Sequence, residues 1–251
     1  MTTQSPMTST ERRRSILYIA IALILAIALG GGLVKVGAGF AARNANGITV
    51  TGSAKTSATA DNVVWTLNVS LTRPTVAEAV TKVGNDVAAV SKYLTDGGIP
   101  ADALTLGSVS TFANEQWVNG NNTGKILNYR ASRDVVVRTK DVQLVSKLSQ
   151  NIGSVLQEGV NVSNYGPQYY VSTLSKIRPA LLSDATKDAK ARAEAMTKAV
   201  GGKVGAITSV KSGPIQVTTP DSTMTSDMGR YDTSSIKKTV TATVTVTFKT
   251  E

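Results

Sequence analysis

The chain has no cysteine and no histidine. Without cysteine there is no thiol nucleophile, no thiolate zinc site and no iron–sulfur cluster. Without histidine the commonest general base and the commonest metal ligand are gone. The two absences argue against a hydrolase or a transition-metal enzyme. The expected catalytic, cofactor-binding and metal-ligating residues are none. A domain of about 200 residues can bury enough core to do without disulfides. Aromatic residues make up only 5% of the chain and its basic residues are scattered, so no nucleic-acid partner is expected.

What is present begins at the N-terminus. Glu11-Arg12-Arg13-Arg14 precedes SILYIAIALILAIALGGGLV, an uncharged run from Ser15 to Val34, and the next charge is Lys35. A helix of that length spans about 30 Å, the thickness of a bilayer's hydrocarbon core. Leu, Ile and Ala cover every helical face, which is not the pattern of an amphipathic surface helix. The arginines predict a cytoplasmic N-terminus. The expected organisation is a cytoplasmic basic segment 1–14, a transmembrane anchor 15–36 with the lipid bilayer as its partner, a linker 37–46 and an extracytoplasmic domain 47–251. A cleaved signal peptide has the same order of parts, with a cleavage site near Ala41, and would leave the domain secreted or periplasmic. A buried core helix is the third reading. Of the net charge of +10, the charges flanking the anchor supply +4, and the remainder, with 22 basic and 16 acidic groups, suits a domain resting near anionic headgroups or cell-wall polymers, or is simply solubility charge.

The remainder alternates strand and helix signals. Ile48 and Val50 alternate with threonines, and Gly52 is read as a break. Val63, Trp65, Leu67, Val69 and Leu71 predict a half-buried strand. Thr75-Val76-Ala77-Glu78 has the form of a capping box. Val76, Val80, Val83, Val87, Val90 and Leu94 then share one helical face, ended by Gly97-Gly98. Leu104–Trp117 and Ile126–Thr139 read as a long hairpin around the turn 119–124. Asp141 is a candidate cap for a helix carrying Val145, Leu148, Ile152 and Leu156, closed by Gly159. Val160–Ser172 is extended. A third helix runs from about Ser175 to Val200, with Pro179 in or near its first turn. Val204–Val210 is a strand, and 213–238 a polar loop without periodicity. The last strand places Val240, Ala242, Val244, Val246 and Phe248 between threonines. The order is about β-β-α-β-β-α-β-α-β-β, an α+β domain with about three helices on one face of a largely antiparallel sheet.

Four stretches, in this order, resemble the SIMPL-domain family of YggE-like periplasmic and membrane-anchored proteins. They are Ile48–Gly52 with Asp61 and the strand Val63–Leu71; Asn128-Tyr129-Arg130-Ala131-Ser132 leading through Val135–Arg138 to Asp141; Asp184-Ala185 to Gly202 with Lys203-Val204-Gly205; and the strand Val240–Phe248. The resemblance implies a SIMPL-like α+β domain, exported or membrane-anchored in bacteria, with no established enzymatic activity and no catalytic residues to carry over. Some members are associated with oxidative-stress defence, others with surface immunogenicity or signalling-adaptor roles.

The chemical motifs weigh little. Ser234-Ser235-Ile236-Lys237-Lys238 holds S-x-x-K twice, but no S-D-N or K-T-G accompanies it. Gly120–Lys125 reads as a hairpin turn, since its glycines are too close for a phosphate loop. Asp221, Asp227 and Asp232 do not match a calcium-loop spacing. Trp65 and Trp117 are expected to pack in the core or on a sheet. The expectation is a membrane-anchored, non-enzymatic envelope protein. It would bind or assemble through sheet edges, the 119–124 turn and the 213–238 loop. Its expected partners are an unidentified envelope protein or a second copy of itself through edge strands. An enzyme using only Ser, Lys or Asp is the further alternative.

Overall fold

The computed structural model describes residues 47–224 and 226–251. The expected segments 1–14, 15–36 and 37–46 lie outside the described residues. Among the described residues no helix is long and apolar enough to cross a membrane.

The chain forms two compact units. The larger takes residues 50–192 and 210–246; the smaller, among the described residues, takes 47–49, 193–209 and 247–251. The elements in chain order are β1 (Gly47–Thr59), β2 (Asn62–Arg73), α1 (Val76–Asp96), β3 (Leu104–Leu106), β4 (Ser110–Val118), β5 (Asn121–Thr139), α2 (Val142–Asn151), the single-turn α3 (Gly153–Gln157), β6 (Val162–Asn164), β7 (Gln168–Tyr170), α4 (Leu174–Ala199), β8 (Val204–Ser212), β9 (Gln216–Thr218) and β10 (Lys237–Thr250). The strands divide into two sheets, where the sequence suggested one. A six-stranded sheet runs β3-β5-β2-β6, with β4 also on β5 and β7 also on β2; a four-stranded sheet runs β1-β10-β8, with β9 on β10. The fold is α+β with antiparallel pairing and three main helices.

The principal core of the larger unit follows from the period-two pattern of β2. Val63, Trp65, Leu67, Val69 and Leu71 are all buried, and β5 pairs alongside with Trp65 opposite Val137 and Leu67 opposite Val135. The helix α1 lays Ala79, Val83, Val87, Val90 and Leu94 into the same core. Thr75 caps it, accepting the Glu78 N–H at 3.2 Å. Val76 is exposed, against expectation. It is the first helical residue, and Ala79 takes the buried place one turn on. Asp141 caps α2 by accepting the Leu144 N–H at 2.9 Å. The helix stops at Asn151 and restarts as α3, a step that turns Val155 inward and leaves Leu156 exposed. Val160–Ser172 is two short strands around a turn, in which Asn164 accepts both the Gly166 N–H at 2.9 Å and the indole N–H of Trp65 at 2.8 Å.

In the larger unit's part of the second sheet, β1 continues through Gly52 rather than breaking there. A Cβ at Gly52 would lie 2.2 Å from the carbonyl of Ala185 and 2.3 Å from the nitrogen of Ala189, so α4 rests on the bare backbone. Ala185 and Ala189, buried on the same face of α4, are small enough to permit this approach. Pro179 is the sixth residue of α4, near its first turn as expected, and its missing N–H leaves the Ser175 carbonyl without its helical donor. The 213–238 segment is more ordered than its composition suggested. Its residues Gln216, Val217 and Thr218 are buried as β9, paired antiparallel to Thr239–Thr241, and Val217 is bracketed by hydrogen bonds with Arg230 and Asp232. In the smaller unit, Lys203 and Glu251 exchange backbone hydrogen bonds at 2.8 and 3.0 Å. There the Thr208 hydroxyl donates to the carbonyl of Thr247 at 3.1 Å.

Candidate functional site

The pairing of β5 with β2 ends at Tyr129, opposite Arg73. From Asn121 to Asn128, β5 pairs only with β4 among the described residues. The result is a two-stranded ribbon that leaves the sheet. It closes on Asn119-Gly120, with φ of 49° and 81° and Val118 opposite Asn121. Two consecutive positive φ values make this a tight two-residue hairpin turn, and Asn-Gly is the pair that adopts them most readily. The expected six-residue turn 119–124 is thus only two residues long, with 121–125 already in the strand. This settles Gly120–Lys125 as hairpin rather than phosphate loop.

Little of the ribbon touches a core. Phe112 is 68% exposed and Trp117 65% exposed, and Val118, Ile126 and Leu127 are exposed with them. Trp117 is therefore not the packing residue expected from sequence, whereas Trp65 is fully buried. Polar side chains hold the two strands together instead. Asn114 donates to Asn128 at 2.6 Å, Thr123 donates to the carbonyl of Gln116 at 3.0 Å, and Asn122 bonds Glu115. Bulges at Asn114/Glu115 and Glu115/Trp117 twist the ribbon further. An isolated two-stranded ribbon is marginally stable in water, and exposed apolar rings on one commonly mark a contact surface.

The second cluster lies at the end of the 213–238 segment. Lys238 falls in the inward phase of β10, two residues before Val240, and its side chain is fully buried. Its ammonium donates to the backbone carbonyl of Asp232 at 2.6 Å and stands 3.4 Å from the carboxylate. That carboxylate also accepts from Ser234 at 3.0 Å and from the hydroxyl and N–H of Ser235 at 2.9 and 3.2 Å. Burial pushes the Asp232 carboxyl up, but the serine donors and then Lys238 outweigh it, and it is held below the usual range. Burial lowers Lys238, with Asp232 opposing. The S-x-x-K serine and lysine therefore meet one carboxylate rather than each other. Asp221 and Asp227 are exposed, and among the described residues no group of three acids could hold a metal ion.

A third contact ties the two sheets of the larger unit. Ser172 donates its N–H and hydroxyl to the two oxygens of Asp61 at 2.7 and 2.6 Å. The Tyr231 hydroxyl accepts the Val171 N–H at 2.8 Å. Both contacts are structural stitches at strand ends.

These elements define an α+β module with paired sheets and a protruding ribbon. The chain belongs to the SIMPL family, described as a protein of unknown function (DUF541), whose model matches residues 48–248. No curated protein matches it.

Proposed function

We propose that this protein is a membrane-anchored, non-enzymatic binding and assembly module of the cell envelope. Residues 15–36 are its single membrane span and 47–251 its extracytoplasmic domain. On the family resemblance, its work includes defence under stress. The observation that carries the assembly reading is the ribbon of β4 and β5, with Phe112 and Trp117 presented to solvent. Its occupant is a second copy of this chain. Within 47–251 Lys and Arg outnumber Asp and Glu by 22 to 16, so two copies of the domain repel over much of their surface. Residues 110–128 carry one acid, Glu115, and one base, Lys125, and no other charge. Two ribbons meeting antiparallel bring unlike charges together and cover each other's rings. A membrane tether confines the copies to one surface and raises their effective concentration.

What supports a non-enzymatic reading is the absence of His and Cys, together with the engagement of Ser235 and Lys238 by Asp232. The test is mass photometry of the full chain in detergent. Dimers or larger assemblies that fall to monomers in the Phe112→Ser/Trp117→Ser variant support the proposal. A monomeric wild type, or a variant with unchanged mass, overturns it and leaves another envelope protein as the occupant.

A further inference from the structure

Asp86 is a carboxylate in the wrong place for a solvated helix. It lies on the buried face of α1, beside Val83, Val87 and Val90, and is 3% exposed. Lys82, one turn earlier, pairs with its Oδ1. Its Oδ2 is buried and has no hydrogen-bond partner among the described residues. A buried charged acceptor left unmatched is costly, and its persistence points to a donor that the fold itself does not supply.

Asp86 lines a cleft of about 470 Å3 with Ser70, Arg73, Lys82, Arg130 and Asn161. The guanidinium of Arg130 is pinned there. Its Nε donates to the hydroxyl of Ser70 at 2.7 Å, and Ser70 is itself buried with its N–H on the carbonyl of Asn161 at 3.3 Å. The two terminal nitrogens of Arg130 have no partner among the described residues. A guanidinium fixed through Nε offers those nitrogens as a planar fork for an oxyanion. Arg73 donates to the carbonyl of Thr72 at 2.8 Å and adds a second cation at the rim. Three cations surround one acid, so the cleft attracts an anion. A bare anion would leave Oδ2 unmatched and would be repelled by it.

We propose that this cleft binds a small carboxylate that carries its own hydrogen-bond donor on the neighbouring carbon, the chemistry of an α-amino or α-hydroxy acid. The ligand's carboxylate lies on Arg130, with Arg73 close by. Its amine or hydroxyl donates to the carboxylate of Asp86, the one acid lining the cleft. Arg130 acts through its fork, so lysine does not replace it.

The test uses the full chain in lipid nanodiscs and four probes: glycine, glycolate, acetate and ethanolamine. Glycine or glycolate should raise the melting temperature saturably, because a ligand that binds only the folded state stabilises it. Whichever of the two acts tells amine from hydroxyl. Acetate, without a donor, and ethanolamine, without a carboxylate, should not. Arg130 is exposed, so Arg130→Gln should fold normally yet weaken the apparent affinity by roughly ten- to a hundred-fold, the loss of a charged hydrogen-bond pair. Arg130→Lys should not rescue it. Asp86→Asn should abolish the preference for donor-bearing probes over acetate. No response to any probe, an equal response to acetate, or an undiminished response in Arg130→Gln would each overturn the proposal.

Discussion

The ammonium of Lys238 donates to the backbone carbonyl of Asp232 at 2.6 Å, from within the apolar phase of β10. Tyr231 covers the same ammonium, its ring centre 5.9 Å away. The pair anchors the 213–238 segment to the start of the last strand. A buried pair is weak evidence for net stability, but breaking one leaves an uncompensated charge. Asp232→Ala should therefore cost about 3–5 kcal/mol, while Lys238→Met, which removes the buried charge and fills the space, should cost much less or nothing. Asp232→Ala/Lys238→Met should recover most of the loss. Urea midpoints of the three variants measure this, and equal midpoints for Asp232→Ala and Lys238→Met would contradict it.

Acid should unfold the protein through named carboxylates. Asp61, Asp188 and Asp232 all lie below the ordinary value of 3.8. For Asp61 the largest cause is the Ser172 hydroxyl, then its N–H. For Asp188 it is the Ser53 N–H, at 2.7 Å, then Arg192. A carboxyl with a lowered pKa binds fewer protons folded than unfolded, so stability rises with pH across that interval. The contribution is complete above 3.8 and is lost as pH falls below it towards the folded values. Lys238 works at the other end. Burial lowers it below 10.5, so the folded state releases that proton first, and stability again rises as pH climbs towards 10.5. Denaturant midpoints should fall steeply below about pH 4. On the alkaline side, wild type should gain relative to Lys238→Met. A midpoint that is the same at pH 3 and pH 5 would rule out the carboxylate assignment.

The sequence disclosed faces better than neighbours. The alternation in β2 and β10 was plain, and so were the caps at Thr75 and Asp141, because each is a local pattern with a local cause. Trp117 reads as a core or sheet-packing residue because apolar alternation looks the same whether a strand meets its own sheet or leaves it. Only the pairing, ending at Arg73 and Tyr129, reveals that β4 and β5 go on without a third strand. Gly52 was read as a break because glycine weakens a strand, while its use here, seating Ala185 and Ala189, depends on residues more than 130 positions away. Two charges break the apolar phase of their elements. Asp86 sits three residues after Val83 and four before Val90, an acid inside an apolar arc. Lys238 keeps the parity of Val240 and Val244. A charge in phase with buried neighbours is the readable sign of a paired or ligand-seeking group.

Two glycine-to-alanine changes should have opposite signs. At Gly52 the new Cβ would stand 2.2 Å from one backbone atom of α4 and 2.3 Å from another, and backbone cannot swing aside. Overpacking of this kind costs about 1–3 kcal/mol or more. Gly84 lies mid-helix in α1, exposed, with nothing within 4 Å of an added Cβ. There alanine should stabilise by about 0.5–1 kcal/mol through helix propensity and a less free unfolded chain. Thermal melts of the two variants should move in opposite directions, and a shared direction would show that α4 does not rest on β1 as described.

The final prediction concerns where the domain resides. Arg12, Arg13 and Arg14 stand before an uncharged run of spanning length, and Lys35 and Arg43 follow it. The positive side is retained in the cytoplasm because moving several hydrated cations through the hydrocarbon is costly, each adding about 2.5–3.5 kcal/mol on an insertion scale. The imbalance of three against two is small, but the arginines are contiguous and directly abut the run, where such charges count most. Protease added to intact spheroplasts should therefore digest residues 47–251 while an N-terminal tag survives. The ribbon offers the first cut, since Asn119-Gly120 is an exposed turn tip outside any core. Reversing the arginines, Arg12→Glu/Arg13→Glu/Arg14→Glu, should reduce the protected tag fraction. A mature domain released in soluble form with a new N-terminus near Ala42 would show a cleaved signal instead. The ribbon would then have to assemble without a tether, and the concentration argument for self-association would fall with the anchor.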